Sequence, residues 1–556
     1  MASHYCGYTG KICIVLIVYG LLVIVQGERN TDLKKRNVLI FVADDLGFET
    51  QVYNNTVCKT PNLDALASRS LIIRNAYVAV SSCSPSRAAI LTGLPPHQSG
   101  QFGLEGSENN FKSYDIVQSL PAILRTGGIK TGIIGKKHIG PDTVYQFDYE
   151  KTEKTNGGVL QVGRNVTFMK EKVQEFFNLH GNSQFLLYMG MSDPHRIGGK
   201  TGEFGEKWGD GSPGMGIIPD WQPVWYQPED VIVPPYLPDT PATRADIAAQ
   251  YTSISRMDAV IGMVMTELTK FGYLDDTLIM FTSDNGIPFP NAKTNLYEPG
   301  MGTPMLISSP VDTHRWGLIS VAMTSTLDIT PTVLDWFQLD YPNYDIVGKK
   351  VNLTGRSMLR LVEDEPTVGW DDAYASHVEH EATMYYPMRV LRSKHGGSKM
   401  RLIHNLNNRA PYPIAGDIYP SPTYQDLLNR THQGEPTHWF KELGDYYYRA
   451  EFELYDLDND VLETTNVADD TQFEDVFNEM KDKLKDWQNQ TGDPWICYPH
   501  GIRYKGGCGS LYNTKPGMKF GFVKDTPHIQ DQGSNHKIHK HDKRNKIQNK
   551  ISNNIL

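Results

Sequence analysis

Four short polar strings, each set directly after an apolar run, carry residues able to do chemistry. Asp44-Asp45 follows the run Asn37 to Val42, and Gly135-Lys136-Lys137-His138 follows Thr131 to Ile134. Asp193-Pro194-His195-Arg196 follows Phe185 to Gly190, and Ser283-Asp284-Asn285-Gly286 follows Thr277 to Phe281. Two adjacent carboxylates after a core strand are costly unless paired or metal-bound; the other reading is a solvated turn. Asp44, Asp45, Asp284 and Asn285 offer oxygen donors without a Cys/His set. That chemistry suits a hard cation rather than zinc, and calcium over magnesium because the cage is mostly protein oxygen.

A fifth stretch, Cys83-Ser84-Pro85-Ser86-Arg87-Ala88-Ala89-Ile90-Leu91-Thr92-Gly93, reads as a short helix. Ser84 suits the N-cap, Pro85 the first helical position and Gly93 the stop. Cys83 then lies just ahead of a helix N-terminus, where free amides and the dipole attract anions, with Arg87 one turn inside. A thiol so placed has a depressed pKa and is reactive. The plainer alternative is a buried or disulfide-bonded cysteine beside an ordinary helix start.

The elements that must position these strings are strands alternating with helices. The apolar runs are short and β-branched, and helical patterns at Pro61 to Ser70 and Arg244 to Phe271 lie between them. This alternation predicts an α/β domain: a large, mostly parallel sheet sandwiched by helices. Ligands of such sheets bind at the carboxyl ends of the strands, where all four polar strings fall. Trp208 to Pro241, rich in Gly, Pro and Trp, is long for a connection and either frames a pocket mouth or is an inert excursion. After about Thr367 the pattern shifts to short strands and aromatics. Met400 to Leu406 and Tyr446 to Asp456 read as strands and Phe473 to Gln488 as an amphipathic helix, giving a smaller C-terminal α+β domain. Asp456-x-Asp458-x-Asp460 lacks the Gly and Glu of a calcium loop and reads as a turn. The expected division is a signal peptide at 1–27, a catalytic domain at 36–370, the smaller domain at 371–522 and a basic, disordered tail at 523–556.

At 556 residues, with 39% hydrophobic and 10% aromatic residues, the chain is a globular protein of more than one core. Lys11 ahead of the apolar run Ile12 to Val25 is a signal-peptide pattern, and no later stretch is apolar enough to span a bilayer, so no stable membrane anchor is expected. The formal charge of −10 disfavours nucleic acid as a partner. Protonating the 17 histidines reverses that sign, so an acidic compartment favours an anionic substrate. Beyond the leader, Cys497 and Cys508 suit a small disulfide loop, while Cys58 and Cys83 are either paired with each other or both unpaired. Sequons at Asn54, Asn165, Asn352, Asn429 and Asn489 fit a glycoprotein of the secretory pathway.

Cys83-Ser84-Pro85-Ser86-Arg87 followed by Leu91-Thr92-Gly93 resembles the signature of the sulfatase family, and the resemblance runs from about Arg36 to about Pro499. It implies an alkaline-phosphatase-like fold and a Cys83 that is oxidised to formylglycine by a formylglycine-generating enzyme. It also implies one calcium ion held by Asp44, Asp45, Asp284, Asn285 and the modified Cys83. Arg87 and Lys136 would hold formylglycine and sulfate oxygens, His138 would act as the base in elimination, and His195 would protonate the leaving group. By the same resemblance, one hydrate hydroxyl attacks sulfur, and the other then loses its proton as the aldehyde re-forms and sulfate leaves. Lys293 lies where close relatives carry Arg, so the charge is kept and the two-pronged grip is lost. Relatives also carry a cysteine pair after Arg196 that is lacking here. The strings Thr294-Asn295-Leu296-Tyr297 and Met384-Tyr385-Tyr386-Pro387-Met388-Arg389 resemble members that cleave the sulfamate of non-reducing-end N-sulfoglucosamine in heparan sulfate degradation, in the lysosome. The alternative is an O-sulfatase acting on a sulfated glycan or aryl ester. Phosphatases of the same superfold use Ser or Thr where Cys83 stands, and a silent glycan-binding protein would not need the intact metal and cation set. His377, Glu379, His380 and Glu381 near the domain junction either read the sugar's hydroxyl and amino groups or form a solvated polar turn. A homodimer is compatible with the resemblance.

Overall fold

β1 (Asn37–Ala43) is buried along its whole length and takes a central place in an eight-stranded sheet. The computed structural model describes residues 36–106, 108–155, 160–197, 201–498, 501–504 and 507–510, so the expected leader and basic tail lie outside the described residues. The sheet comprises β1, β2 (Leu71–Tyr77), β3 (Lys130–Gly135), β4 (Tyr149–Thr152), β5 (Phe185–Gly190), β6 (Thr277–Ser283), β7 (Met305–Ser308) and β8 (Ile319–Ser325), in the order β4-β3-β5-β1-β6-β7-β2-β8. β7 pairs antiparallel with both neighbours and the other pairings are parallel.

Strand periodicity splits β1 between two cores. Leu39, Phe41 and Ala43 face α1 (Pro61–Ser68), α3 (Val166–His180) and α4 (Pro241–Lys270). Val38, Ile40 and Val42 face α2 (Cys83–Thr92) and α5 (Ile329–Phe337). Burial on both faces is why the strands read as continuous apolar runs rather than as alternation.

A two-residue pair, β9 (Asp345–Ile346) and β10 (Lys349–Lys350), precedes the second sheet. That sheet is antiparallel and runs in sequence order through β11 (Asp372–His377), β12 (Met388–His395), β13 (Ser398–Asn405) and β14 (Phe452–Asp456). One of its faces packs on α7 (Glu474–Thr491) through Met480, Leu484 and Trp487. The other packs on Leu296, Tyr297 and Met301 from the first sheet's loops. The strand expected from Tyr446 begins only at Phe452, because a short helix, α6 (Leu443–Tyr447), forms there instead. Tyr446 there turns its hydroxyl to the Asn291 amide and the Asn295 side chain, contacts that a solvent-edge strand would not reach.

Cys497 and Cys508 form the expected disulfide, while Cys58 and Cys83 are both free and buried. The Asp456–Asp460 segment is a turn, closed by the Asp460 amide on the Asp456 carbonyl. Among the described residues no helix is long and apolar enough to cross a membrane. Of the sequon residues, Asn54, Asn352 and Asn429 are exposed, whereas Asn165 caps α3 and Asn489 lies within α7.

Candidate active site

β3, β5, β1 and β6 are consecutive and parallel, so their carboxyl ends share one edge of the sheet. The four polar strings meet there over the start of α2. Ser82, not Ser84, occupies the N-cap of that helix, and Cys83 is its first residue. Ser82 is extended and directs its hydroxyl to His380 Nδ1 at 2.8 Å, so it fixes the entry to the helix without capping it through its side chain.

Cys83 Sγ lies 3.9 Å from Asp45 Oδ1. Asn285 Nδ2 donates to the same oxygen at 2.6 Å, and Asp284 Oδ1 accepts from the Asp45 amide at 3.1 Å. Asp45 is held at φ 64° and His138 at φ 49°, backbone conformations that L-residues rarely adopt and that aim both side chains inward. Arg87 Nε donates to Asp284 Oδ2 at 2.8 Å, and its terminal nitrogen is 3.7 Å from Asp44 Oδ1. Lys136 Nζ pairs with Asp44 Oδ2. Lys137, its neighbour, points away to Asp142 and Glu150 and is not part of the site.

The structure adds a residue that sequence reasoning missed. Asp417, on the Gly/Pro-rich loop after β13, places Oδ2 2.6 Å from Lys293 Nζ and 3.6 Å from His195 Nε2. Lys293 Nζ is also 2.8 Å from Asp45 Oδ2, so it bridges the strand-end carboxylate and the C-terminal sheet's loop. Glu381 fixes that loop by accepting the Gly416 amide at 2.9 Å. His380 reaches the site through Ser82. Glu379 instead accepts from Asn109 at 2.6 Å, and His377 is buried at the end of β11.

Burial is the largest influence on every charge here, and it opposes ionisation. It pushes the Asp284 carboxyl up to about 7, with Asp44 adding to the shift and Arg87 opposing it. Asp45 rises to about 6 for the same reason, against the pull of Lys293. Asp44 ends low despite its burial, because Lys136, His195 and Arg87 outweigh it. The expected reactive thiol is not found: burial drives Cys83 well above the ordinary range, and Lys136 and Lys293 do not reverse it. Burial also holds His138 well below its usual value and His195 at about 3.

Asp44 Oδ1 and Asn285 Oδ1 are buried with no hydrogen-bond donor. Ligand atoms of Asp44, Asp45, Cys83 and His195 lie within 4.8 Å of one another. Unpartnered oxygens among carboxylates that resist ionisation are what a bound cation would satisfy, so the residues fit a divalent metal.

The sulfatase family pattern matches residues 36–339. Human N-sulphoglucosamine sulphohydrolase is 52% identical over 494 residues, covering 88% of this chain and 95% of that protein. The chain belongs to the sulfatase family. As a sulfatase it is a hydrolase, and membership implies a formylglycine and a divalent metal. A protein solved with its substrate D-glucosamine-2-N,6-O-disulfate superimposes at a TM-score of 0.58 with 19% identity, over 83% of this sulfatase and 99% of that chain. A phosphonate monoester hydrolase of Agrobacterium radiobacter superimposes at 0.57 with 18% identity, over 86% and 100%. These two likenesses establish the fold, and the second shows that the fold alone does not select the chemistry.

Proposed function

We propose that this sulfatase hydrolyses the sulfamate of N-sulfoglucosamine at the non-reducing end of heparan-type chains, releasing sulfate and a free amine. The observation that carries the reading is the convergence of Cys83, Arg87, Lys136, His138, His195 and Lys293 over the Asp44–Asp45–Asp284–Asn285 cluster. It occurs in a chain 52% identical, over nearly its whole length, to an enzyme named for that substrate. Of these groups only Lys136, His138 and His195 are partly exposed. So narrow an opening fits a chain end rather than the interior of a polymer.

Asp44, Asp45, Asp284 and Asn285 would hold one calcium ion. When in place, formylglycine at position 83 supplies the oxygen nucleophile and the cation polarises the sulfur–oxygen bonds. The chain's own residues do the rest. Arg87, Lys136 and Lys293 neutralise the sulfamate oxygens. His138, neutral through burial and close to Lys136 and Asp44, would accept the proton in elimination. The departing nitrogen must gain a proton as the S–N bond breaks, and His195, at the rim, is placed to give it. His195 rests neutral, so the negative charge of bound substrate is what raises its proton affinity. Asp417, 3.6 Å away, supports the charged ring.

The signal-peptide pattern, the disulfide and the exposed sequon residues support passage through the secretory pathway to the lysosome, with conversion of Cys83 by a formylglycine-generating enzyme on the way. Incubating purified protein with glucosamine sulfated either at nitrogen or at O6 tests the substrate. Free sulfate from the N-sulfated sugar is expected; release from the O-sulfated sugar alone would replace the reading with that of an O-sulfatase.

A further inference from the structure

Lys293 and His195 meet a single oxygen of Asp417. Oδ2 is 2.6 Å from Lys293 Nζ and 3.6 Å from His195 Nε2. Burial opposes the charge of this carboxyl, and Lys293, His195 and His380 outweigh burial, so it stays a carboxylate. It accepts hydrogen bonds and has no proton to give, and Lys293 occupies one of the two lone-pair positions of Oδ2. Oδ1 is buried, so Oδ2 is the oxygen that meets the site. The loop around it is well anchored. Ala415 and Ile418, on either side, are buried in the second sheet's core. The Ile418 and Tyr419 amides close a turn on the Ala415 carbonyl, and Glu381 holds the Gly416 amide.

His195 presents Nε2 to the same space, because its Nδ1 bonds the Arg196 carbonyl, which can only accept. Nε2 is also 3.7 Å from Asp45 Oδ2, so the tip of the ring stands between the metal-side carboxylate and Asp417. An atom at hydrogen-bond distance from Nε2, about 2.9 Å, can lie equally close to Oδ2. With N-sulfoglucosamine as the substrate, the reading on which this inference rests, that atom is the departing nitrogen. A sulfamate nitrogen carries carbon, sulfur, one hydrogen and one lone pair. The lone pair must face His195 to receive its proton, so the hydrogen needs an acceptor elsewhere. We propose that Asp417 is the residue that selects a sulfamate over a sulfate ester. Oδ2 accepts the sulfamate N–H, turns the nitrogen lone pair to His195, and repels the bridging oxygen of an ester, which has lone pairs and no hydrogen. A site built around such a hydrogen bond rejects the analogue lacking it far more strongly than an apolar pocket rejects a missing methylene. The same oxygen holds the amine once the S–N electron pair has returned to nitrogen.

Glucose 2-sulfate differs from N-sulfoglucosamine only in carrying oxygen in place of N–H at the scissile bond. Sulfate release from both sugars is followed for the purified protein and for Asp417→Asn, whose amide can turn an N–H donor toward an ester oxygen. The unsubstituted protein is expected to prefer the sulfamate by at least about 1000-fold in kcat/KM, and the variant to narrow that ratio at least about tenfold. Glucose 2-sulfate should also become a tighter competitive inhibitor of sulfamate turnover in the variant, a readout that holds where ester turnover is too slow to follow. If Asp417 only braced Lys293 and His195, or read a ring hydroxyl common to both sugars, both rates would fall by one factor and the ratio would stay. That result overturns the proposal and leaves the substrate assignment standing. Sulfate from glucose 2-sulfate and none from N-sulfoglucosamine, with the unsubstituted protein, overturns the assignment and the proposal with it. Should Asp417→Asn lose its native near-ultraviolet spectrum, inhibition of the unsubstituted protein by glucosamine and by glucose decides. Glucosamine, whose ammonium group donates to Oδ2, should inhibit at least about tenfold more strongly, and equal inhibition would overturn the proposal.

Discussion

Buried charge takes two forms in this molecule. Arg389 and Asp493 form a closed pair: Nε and Nη2 reach the two carboxylate oxygens at 2.6 and 2.9 Å, and Gln488 and the Trp495 amide complete the acceptor side. Arg196 and Asp246 repeat the arrangement at 2.8 and 2.9 Å, with Thr423 as the extra donor. The strand-end cluster is the opposite. Its carboxylates crowd one another, Asp45 and Asp284 resist ionisation, and Asp44 Oδ1 and Asn285 Oδ1 lack donors. Closed pairs hold elements together, whereas open ones leave valence for a metal and a substrate.

The contrast predicts a separation of effects. Cys83→Ser should lower turnover by at least about 1000-fold while leaving the melting temperature nearly unchanged, since a single hydroxyl cannot return to an aldehyde. Asp493→Ala should do the reverse: about 3–5 kcal/mol of stability is lost by leaving Arg389 buried and unpaired, and the folded fraction keeps its turnover. Paired kinetics and thermal melts on the two variants check this, and similar profiles for both would erase the distinction.

Next in size is Asp417→Asn. It removes the charge that anchors Lys293 and His195, and a loss of about 10- to 100-fold in kcat, with KM little changed, is expected. Full activity would exclude Asp417 from the machinery.

The smallest effect concerns pH. Asp45 and Asp284 have folded-state values raised to about 6 and 7, above the unfolded carboxylate value. Their contribution to stability is therefore fully present below about pH 4 and is lost as pH rises through 6 to 7. Glu49, Asp258, Asp328 and Glu463 are raised as well and tilt stability the same way with or without metal. Denaturant melts of chelated and calcium-loaded protein isolate the cluster. The gap between them should widen from pH 5 to pH 7, and a constant gap would show that the carboxylates do not meet a cation.

The sequence made the strand ends legible because each polar string abuts an apolar run, and period and position alone bring such ends to one edge. The site's electrostatics were less visible. A helix start with a cysteine suggests an acidic thiol, but it does not reveal that Cys83 is buried beneath two carboxylates, which sets the sign of the shift. The helix starts at Cys83, earlier than Ser84 as its cap would set it, and neither serine hydroxyl caps it: Ser82 engages His380 and Ser84 accepts the Glu105 amide, both long-range contacts that the local sequence does not show. Lys136 and Lys137 are equivalent in sequence, and only the pleat of the strand end separates them. Asp417 gave no signal: it lies on an aperiodic loop, 124 residues from Lys293.

The proposed chemistry requires that Cys83 be a precursor and not the working thiol. Mass spectrometry of the peptide spanning Cys83, from preparations of graded specific activity, tests it most directly. Aldehyde at position 83 should rise in proportion to sulfate release, with the thiol form inactive. A fully active preparation that carries only unmodified Cys83 would contradict the claim.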